Sequence, residues 1–386
     1  MPDTADYDVI IAGLGAMGSA AAYHLARNGA QVLGLDRFRP PHEFGSSHGR
    51  TRIIREAYFE HTLYVPLVQR AYELWADLEQ ESGRKLMLQT GGLMVGPPGG
   101  VLFTGAKRSA DDHHLAHQVL SATEVRKQFP ALEPAPGMRA VWEPRAGILF
   151  PELAIQTHLE LAARRGAMLR FDEAITSWEP KGRGIRVFTS KGNYHARQLL
   201  LSAGAWLSSL IPDLQFPLSV ERQVLCWFEP ASDAESFRPD RCPIFIFEYA
   251  SSRFFYGFPD LGDGVKLAIH HEGEITQPDL IQRGVGEQDT EKVRGVLERF
   301  LPAAAGRLLS ATVCMYTNTP DAHFVFGPHP RCSQVLIASP CSGHGFKFSS
   351  VIGELAALTL AGNVPPFDLS LFTPERFAKC NGRAAT

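Results

Sequence analysis

The chain has 386 residues, with 38 Lys plus Arg against 41 Asp plus Glu, a formal net charge of −3, 45% hydrophobic and 20% charged residues. A charge so near balance gives no electrostatic footprint for nucleic acid or an anionic membrane, and the length exceeds one ordinary core, so two domains are expected. No apolar run reaches the roughly 18 residues that a transmembrane helix needs.

The acidic start MPDTADYD runs straight into apolar residues and carries no secretory or transit pattern, and the end, GRAAT, is not a peroxisomal address. Six cysteines (226, 242, 314, 332, 341, 380) show no C-x-x-C spacing. That is the usage of a reduced cytoplasmic protein with neither disulfides nor a zinc cage.

Val9, Ile10 and Ile11 read as a buried strand. Gly13, Gly15 and Gly18 follow in the order G-x-G-x-x-G and open a helix whose Ala20, Ala21, Leu25 and Ala26 form a small-residue face, with Gly29 placed for a C-cap. A second strand, Gln31 to Leu35, ends in Asp36. This is the layout of a dinucleotide-binding βαβ unit. The first glycine makes the turn, the second admits backbone to a pyrophosphate, and the third packs helix on strand. Asp36 stands where an acid accepts from a ribose hydroxyl and repels a 2′-phosphate, which disfavours NADP and leaves NAD and FAD open.

Beyond Pro40-Pro41 comes GSSHGRTRIIR, residues 45 to 55. Arg52 and Arg55 are three apart, and a helical turn would aim both guanidiniums the same way, fit for a bidentate grip on a carboxylate; plain surface charge is the competing reading. Leu67, Val68, Ala71, Leu74, Trp75 and Leu78 recur at helical spacing, with Pro66 in the first turn and Gly83 as the stop. His113 and His117 have metal-ligand spacing for a helix, but no carboxylate or cysteine cluster accompanies them. They read as solvated helix residues, and no metal is expected. A second helix is predicted from about Glu152 to Arg165, stopped by Gly166, and LLLSAGAW (199 to 206) is a buried strand entering a turn at Gly204.

From about residue 219, RQVLCWFE, PIFIFEY, RFFYGFP and GVKLAIHHE alternate with turn residues as antiparallel strands do. In the last of them Lys266, Ala268 and His270 share one face, and Val265, Leu267 and Ile269 the other. The first face is either solvated or laid over a cofactor, where Lys266 would stabilise negative charge on a flavin or on reduced oxygen. Tyr256 shares a face with residues 254 and 258. A helix with Val293, Val296, Leu297 and Phe300 follows. Cys314, in VCMYTNTP, reads by itself as a small core residue. The chain closes with strand QVLIA (334 to 338), the loop SPCSGHGF and an apolar helix ending at Gly362. Gly343 and Gly345 loosen that loop and Lys347 opens the helix, an arrangement suited to an anion or to a plain capped turn.

The expected fold is therefore α/β, a discontinuous Rossmann-like FAD-binding domain (1–88, 145–215 and 320–386) with a second, antiparallel-sheet substrate domain (89–144 and 216–319). An interrupted nucleotide domain of this kind favours a flavin over a nicotinamide cofactor.

GLGAMG, PPHEFGSSHGRTRIIR, ELW, YGFP, KLAIHH, CMYTNTPD and SGHGFKF, in that order, resemble the monomeric sarcosine oxidase family, which includes N-methyltryptophan oxidase and pipecolate oxidase. The resemblance implies FAD joined covalently through its 8α-methyl to Cys314, with Arg55 and Lys347 clamping a substrate carboxylate. It places Arg52 and Lys266 against the flavin, Lys266 activating oxygen, Tyr256 and His270 on the amine side, and His48 and Thr51 in the flavin environment. Such a cationic pocket disfavours a substrate ammonium and stabilises an anionic reduced flavin. The implied enzyme is a monomeric cytoplasmic oxidase of secondary, N-methyl amino acids that uses oxygen and releases hydrogen peroxide. A cyclic imino acid such as pipecolate or proline is the competing substrate; a nicotinamide-dependent dehydrogenase and a cofactor binder without turnover are the competing classes. Arg50, Ser339-Pro340-Cys341 and Gly327 depart from the family pattern.

Overall fold

The computed structural model describes residues 6–214, 216–339 and 342–377. Its first element is the expected βαβ unit: β1 (Tyr7–Ala12), α1 (Ala16–Arg27) and β2 (Val32–Leu35). β1 is apolar and buried from Val9 to Ala12, as a strand covered on both faces must be. It pairs in parallel with β2, Val9 opposite Val32, and with the strand Asn193–Leu201 on its other side. Met168–Arg170 extends this sheet, eight-stranded among the described residues, beyond β2, and Cys332–Ser339 joins Asn193–Leu201 in parallel, Leu200 opposite Leu336. Two glycines make the first turn possible. Gly13 has φ +92° and a Cβ there would lie 2.7 Å from the Ser202 carbonyl, while a Cβ on Gly18 would lie 1.8 Å from the Gly13 carbonyl. The alanine face of α1 packs on Ser349–Leu360 and on Pro151–Arg164, where small side chains let helices approach closely.

Among the described residues the second sheet has nine strands. Ser219–Phe228 pairs antiparallel with Leu308–Asn318, Gln223 opposite Cys314, and with Val265–His270, Trp227 opposite Lys266. Arg253–Phe258 follows, Tyr256 opposite Ala268. One pairing departs from the antiparallel expectation: Ile244–Ala250 runs parallel to Gly92–Gly96, through which Gln118–Ser121 and Arg139–Glu143 join the sheet. The alternation read in Val265–His270 is present. Val265, Leu267 and Ile269 face a core with Phe245, Phe247, Phe255 and the helix Glu287–Phe300, while Ala268 packs beside Cys314 on the opposite side. The two large sheets are interleaved along the chain. The first draws on residues 7–35, 168–201 and 325–339, and the second on 92–143, 219–276 and 308–318.

The helical turn expected around Arg52 and Arg55 is instead a strand, β3 (Arg52–Ile54), paired antiparallel with Gly147–Leu149. The β-branched pair Ile53 and Ile54 suits that pleated edge better than a helix. Helix α2 (Tyr64–Ser82) ends at Gly83 in the left-handed conformation, as predicted. Two further helices, Val101–Asp112 and Ala122–Gln128, escaped the sequence reading. His113 is the C-cap of the first, and His117 lies in the loop beyond, its Nε2 3.4 Å from Asp111. The two histidines thus do not share a helical face. No helix among the described residues is long and apolar enough to cross a membrane.

His24 and His158 are buried where α1 meets Pro151–Arg164, against Tyr23 and Trp75. Burial pushes His24 down to about 4 and His158 to about 3, from an ordinary 6.5. The unfolded chain takes up protons near pH 6.5 that these folded imidazoles resist. Their contribution to stability is whole above that pH and is lost as the pH falls toward 4. The thermal midpoint should decline across that window, and His158→Gln should make the decline shallower; an unchanged slope in a pH series of melts would reject the assignment.

Candidate active site

A cavity of about 760 Å³ runs from the βαβ turn to the face of the second sheet that carries Tyr256, His270 and Cys314. At its first end no side chain among the described residues caps α1, so the N–H groups of the first turn are left for a ligand. A Cβ on Gly15 would meet nothing within 4 Å, so this backbone borders open space. Asp36 accepts from the Leu14 N–H at 2.7 Å and the Phe38 N–H at 2.8 Å, and burial pushes its carboxyl up to about 6. Gly13, Gly15, Asp36 and Gly204 all line this end.

In the middle, Arg52 donates to the carbonyls of Thr51 (2.8 Å) and Ser46 (2.7 Å), and its Nη2 lies 3.7 Å from the Cys314 sulfur. Lys266 stands behind Arg52. Its Nζ donates to the Gly49 carbonyl at 2.6 Å, the Thr51 carbonyl at 3.1 Å and Thr51 Oγ1 at 2.9 Å, with the Trp227 and Phe258 rings against it. Burial, then the Arg52 charge, holds this ammonium well below the usual lysine range. His48 is buried too. Burial and then Arg52 drive its imidazole down to about 3, and its Nε2 has no hydrogen-bond partner among the described residues.

At the far end Arg55 is 2% exposed. Its Nη2 meets both oxygens of Glu60 at 2.7 and 2.8 Å, its Nη1 donates to the Ala57 carbonyl at 2.9 Å, and its Nε has no partner among the described residues. Burial would raise the Glu60 carboxyl, but the Arg55 guanidinium, with Lys347 beyond it, holds it below the ordinary range. Lys347 donates to the His344 carbonyl at 2.8 Å; burial and then Arg55 push its ammonium down to about 7. Both cations stack on the Tyr58 ring, whose hydroxyl meets His344 Nδ1, while His344 Nε2 meets the Ala322 carbonyl at 2.9 Å. His344 is therefore a neutral imidazole donating from Nε2 and accepting a hydrogen bond from the tyrosine hydroxyl at Nδ1, and burial pushes it down to about 4. Beside these cations, His270 Nδ1 lies 3.2 Å from the Tyr316 hydroxyl, which donates to the Tyr256 hydroxyl at 3.5 Å.

Of the residues expected from sequence, Gly13, Gly15, Asp36, Arg52, Arg55, Gly204, Tyr256, His270, Cys314, Gly343, Gly345 and Lys347 border the cavity. Gly18, His48, Thr51 and Lys266 stand behind its wall. The sequence reading missed Tyr316, two residues past Cys314 and so on the same face of its strand, a signal the two-residue period carries. It also missed His344, set between two singled-out glycines, and Tyr58 and Glu60, which no periodicity marks. Of the departures, Arg50 pairs with Asp263 and Gly327 packs against Pro374, while Ser339 lines the cavity. Pro340 and Cys341 lie outside the described residues.

The profile of the DAO family, FAD dependent oxidoreductase, matches residues 8–358. The chain belongs to this family. Among relatives of this FAD dependent oxidoreductase, a monomeric sarcosine oxidase of Streptomyces avermitilis is 44% identical over 377 residues, covering 96% of this chain and 98% of that protein. An N-methyl-L-tryptophan oxidase of Yersinia pestis is 35% identical, covering 96% and 100%. Among solved structures, L-proline dehydrogenase of P. horikoshii is similar with a TM-score of 0.84 at 21% identity, covering 97% of this chain and 98% of that one. Glycine oxidase of Geobacillus kaustophilus is similar with a TM-score of 0.80 at 19% identity, covering 97% and 99%. These structures share the fold.

The residues present fit FAD. The uncapped helix end and the open space at Gly15 suit its pyrophosphate, and the unpartnered His48 Nε2 lies in the loop that wraps the cationic middle of the cavity. Tyr58→Phe removes the hydroxyl that donates to His344 Nδ1 and strands a buried acceptor. It should destabilise the oxidoreductase by about 1–3 kcal/mol, and no loss in urea unfolding would contradict the tautomer assigned.

Proposed function

We propose that this oxidoreductase is an oxidase of N-methyl amino acids, yielding an imine that water hydrolyses to formaldehyde and the demethylated amino acid, with hydrogen peroxide from oxygen. The observation that carries this is the pair of buried cations, Arg55 and Lys347, at the far end of a cavity that begins at a dinucleotide motif. The sarcosine and N-methyltryptophan oxidases at 44% and 35% identity support it.

Arg55 Nε, which has no partner among the described residues, and Lys347 beside it together offer a carboxylate a desolvated seat rich in N–H donors. A substrate carboxylate there competes with Glu60 for Arg55. The amine then falls toward Tyr256, Tyr316 and His270, all neutral hydrogen-bonding groups. The surrounding cations disfavour its ammonium form and leave the nitrogen lone pair available. Bound FAD would accept two electrons from the substrate C–H bond and return them to oxygen. Lys266, held by three oxygens beside Arg52, is assigned to the oxygen reaction, and Cys314, whose sulfur borders the cavity 3.7 Å from Arg52, to the covalent link.

In this reading the FAD-binding domain comprises 1–88, 145–215 and 320–386 and the substrate domain 89–144 and 216–319, an assignment supported by how the strands divide between the two sheets. The enzyme acts as a monomer in the cytoplasm. The free, buried state of Cys226, Cys242, Cys314 and Cys332 suits that reducing compartment.

Peroxide and formaldehyde release from N-methylglycine, N-methyltryptophan, pipecolate and proline tests the function. Equimolar formaldehyde and peroxide from an N-methyl amino acid is expected. Peroxide from pipecolate or proline alone would replace the substrate with a cyclic imino acid, and turnover that needs added NAD would reject an oxidase. For the link, yellow colour should stay with acid-precipitated wild-type protein and leave Cys314→Ala; colour retained by the precipitated variant would exclude Cys314.

A further inference from the structure

Glu143 is 1% exposed, at the end of the strand Arg139–Glu143 in the second sheet, opposite Gly92. A carboxylate so buried is costly unless it is hydrogen-bonded or paired. No cation is hydrogen-bonded to it among the described residues. Its two oxygens instead accept from two successive backbone N–H groups, Glu56 at 2.7 Å and Ala57 at 2.8 Å. Those residues directly follow Arg55. The Ala57 carbonyl in turn accepts from Arg55 Nη1 at 2.9 Å. One residue thus bridges the carboxylate and the guanidinium: Glu143 fixes the Ala57 amide, and the Ala57 carbonyl fixes Arg55.

The segment is fastened a second time. Glu56, 2% exposed, pairs with Arg145 at 3.0 Å, two residues beyond Glu143, and the Arg145 carbonyl accepts from the Tyr72 hydroxyl at 3.0 Å. What is clamped between these ties and Glu60 is the short turn 55–60, which carries both partners of the Arg55–Glu60 pair. A turn exchanging one carboxylate for another at Arg55 needs its backbone held while side chains change partners. Glu143 supplies that anchor from a sheet to which the turn does not belong.

We propose that Glu143 is a positioning residue for substrate binding, holding the 55–60 turn so that the Arg55 guanidinium faces the substrate carboxylate. This rests on the reading of Arg55 as part of the carboxylate clamp. Glu143→Gln keeps the shape and one good acceptor but places an amide N–H₂ against the second backbone N–H. Anaerobic reduction of the FAD-loaded enzyme by N-methylglycine separates the apparent Kd from the limiting rate. For Glu143→Gln the Kd should rise about tenfold, the loss of roughly one hydrogen bond. The limiting reduction rate and the reoxidation rate by oxygen should stay within about twofold. In Arg55→Lys the Kd also rises, and adding Glu143→Gln to it should cost little more, because both act through the same contact. Glu143→Asp, which keeps the charge and shortens the reach, is judged by the same criteria if the Gln variant does not hold FAD.

A Kd within about twofold of wild type for the Glu143 variant, with Arg55→Lys impaired, overturns the role of Glu143 alone. A rise in Kd matched by equal falls in the reduction and reoxidation rates, or full additivity of the two substitutions, also overturns it. Unchanged affinity in Arg55→Lys overturns the clamp and this inference with it.

Discussion

Positive charge held by main-chain carbonyls is the condition on which the rest of the molecule depends. Arg52 rests on the carbonyls of Ser46 and Thr51, Lys266 on those of Gly49 and Thr51, Lys347 on that of His344, and Arg55 on that of Ala57. Among the described residues only Glu60 brings a carboxylate into hydrogen bonding with any of the four. Carbonyl dipoles orient a buried cation without cancelling it, so the cavity stays electropositive and an anion entering it recovers part of the desolvation cost. A site so arranged favours a carboxylate and any negative charge that builds up on a neighbouring ring system.

Carbonyls serve in this way only if the loops presenting them cannot relax. The segment 45–60 supplies most of them, and it is confined on three sides. β3 ties it to Gly147–Leu149, Lys266 reaches it from the second sheet, and Glu143 holds it by two amides. The second sheet gives the precision. Tyr256, Lys266, His270, Cys314 and Tyr316 stand on three strands whose registers fix their spacing to one another, which a set of loops would not.

The βαβ unit was legible because its glycines obey hard steric limits and its strands are uniformly apolar. The two faces of Val265–His270 were legible because a strand long enough to show its period separates core from site. Arg52 and Arg55 were misplaced on a helix because three residues are too few to distinguish a period of 2.0 from one of 3.6, and the deciding partner, Gly147–Leu149, lies some ninety residues away. Glu60, Tyr58 and Glu143 gave no local signal, since each works through a contact distant in sequence or through backbone groups that every residue shares. Lys266 was singled out by its alternation, yet only the three-dimensional arrangement puts it behind the cavity wall, one residue removed from the space it influences.

The interleaving of the two sheets fixes how the chain can be assembled. The nucleotide motif lies between β1 and α1, but Asn193–Leu201, which flanks β1, takes its own outer parallel partner from Cys332–Ser339, far along the chain. The strand bearing Cys314 likewise pairs with one begun nearly a hundred residues earlier. Neither layer closes without chain that belongs after the other, so both depend on contacts of long sequence separation. The walls of the cavity are therefore built from segments far apart in sequence, and neither sheet supplies the whole of its lining.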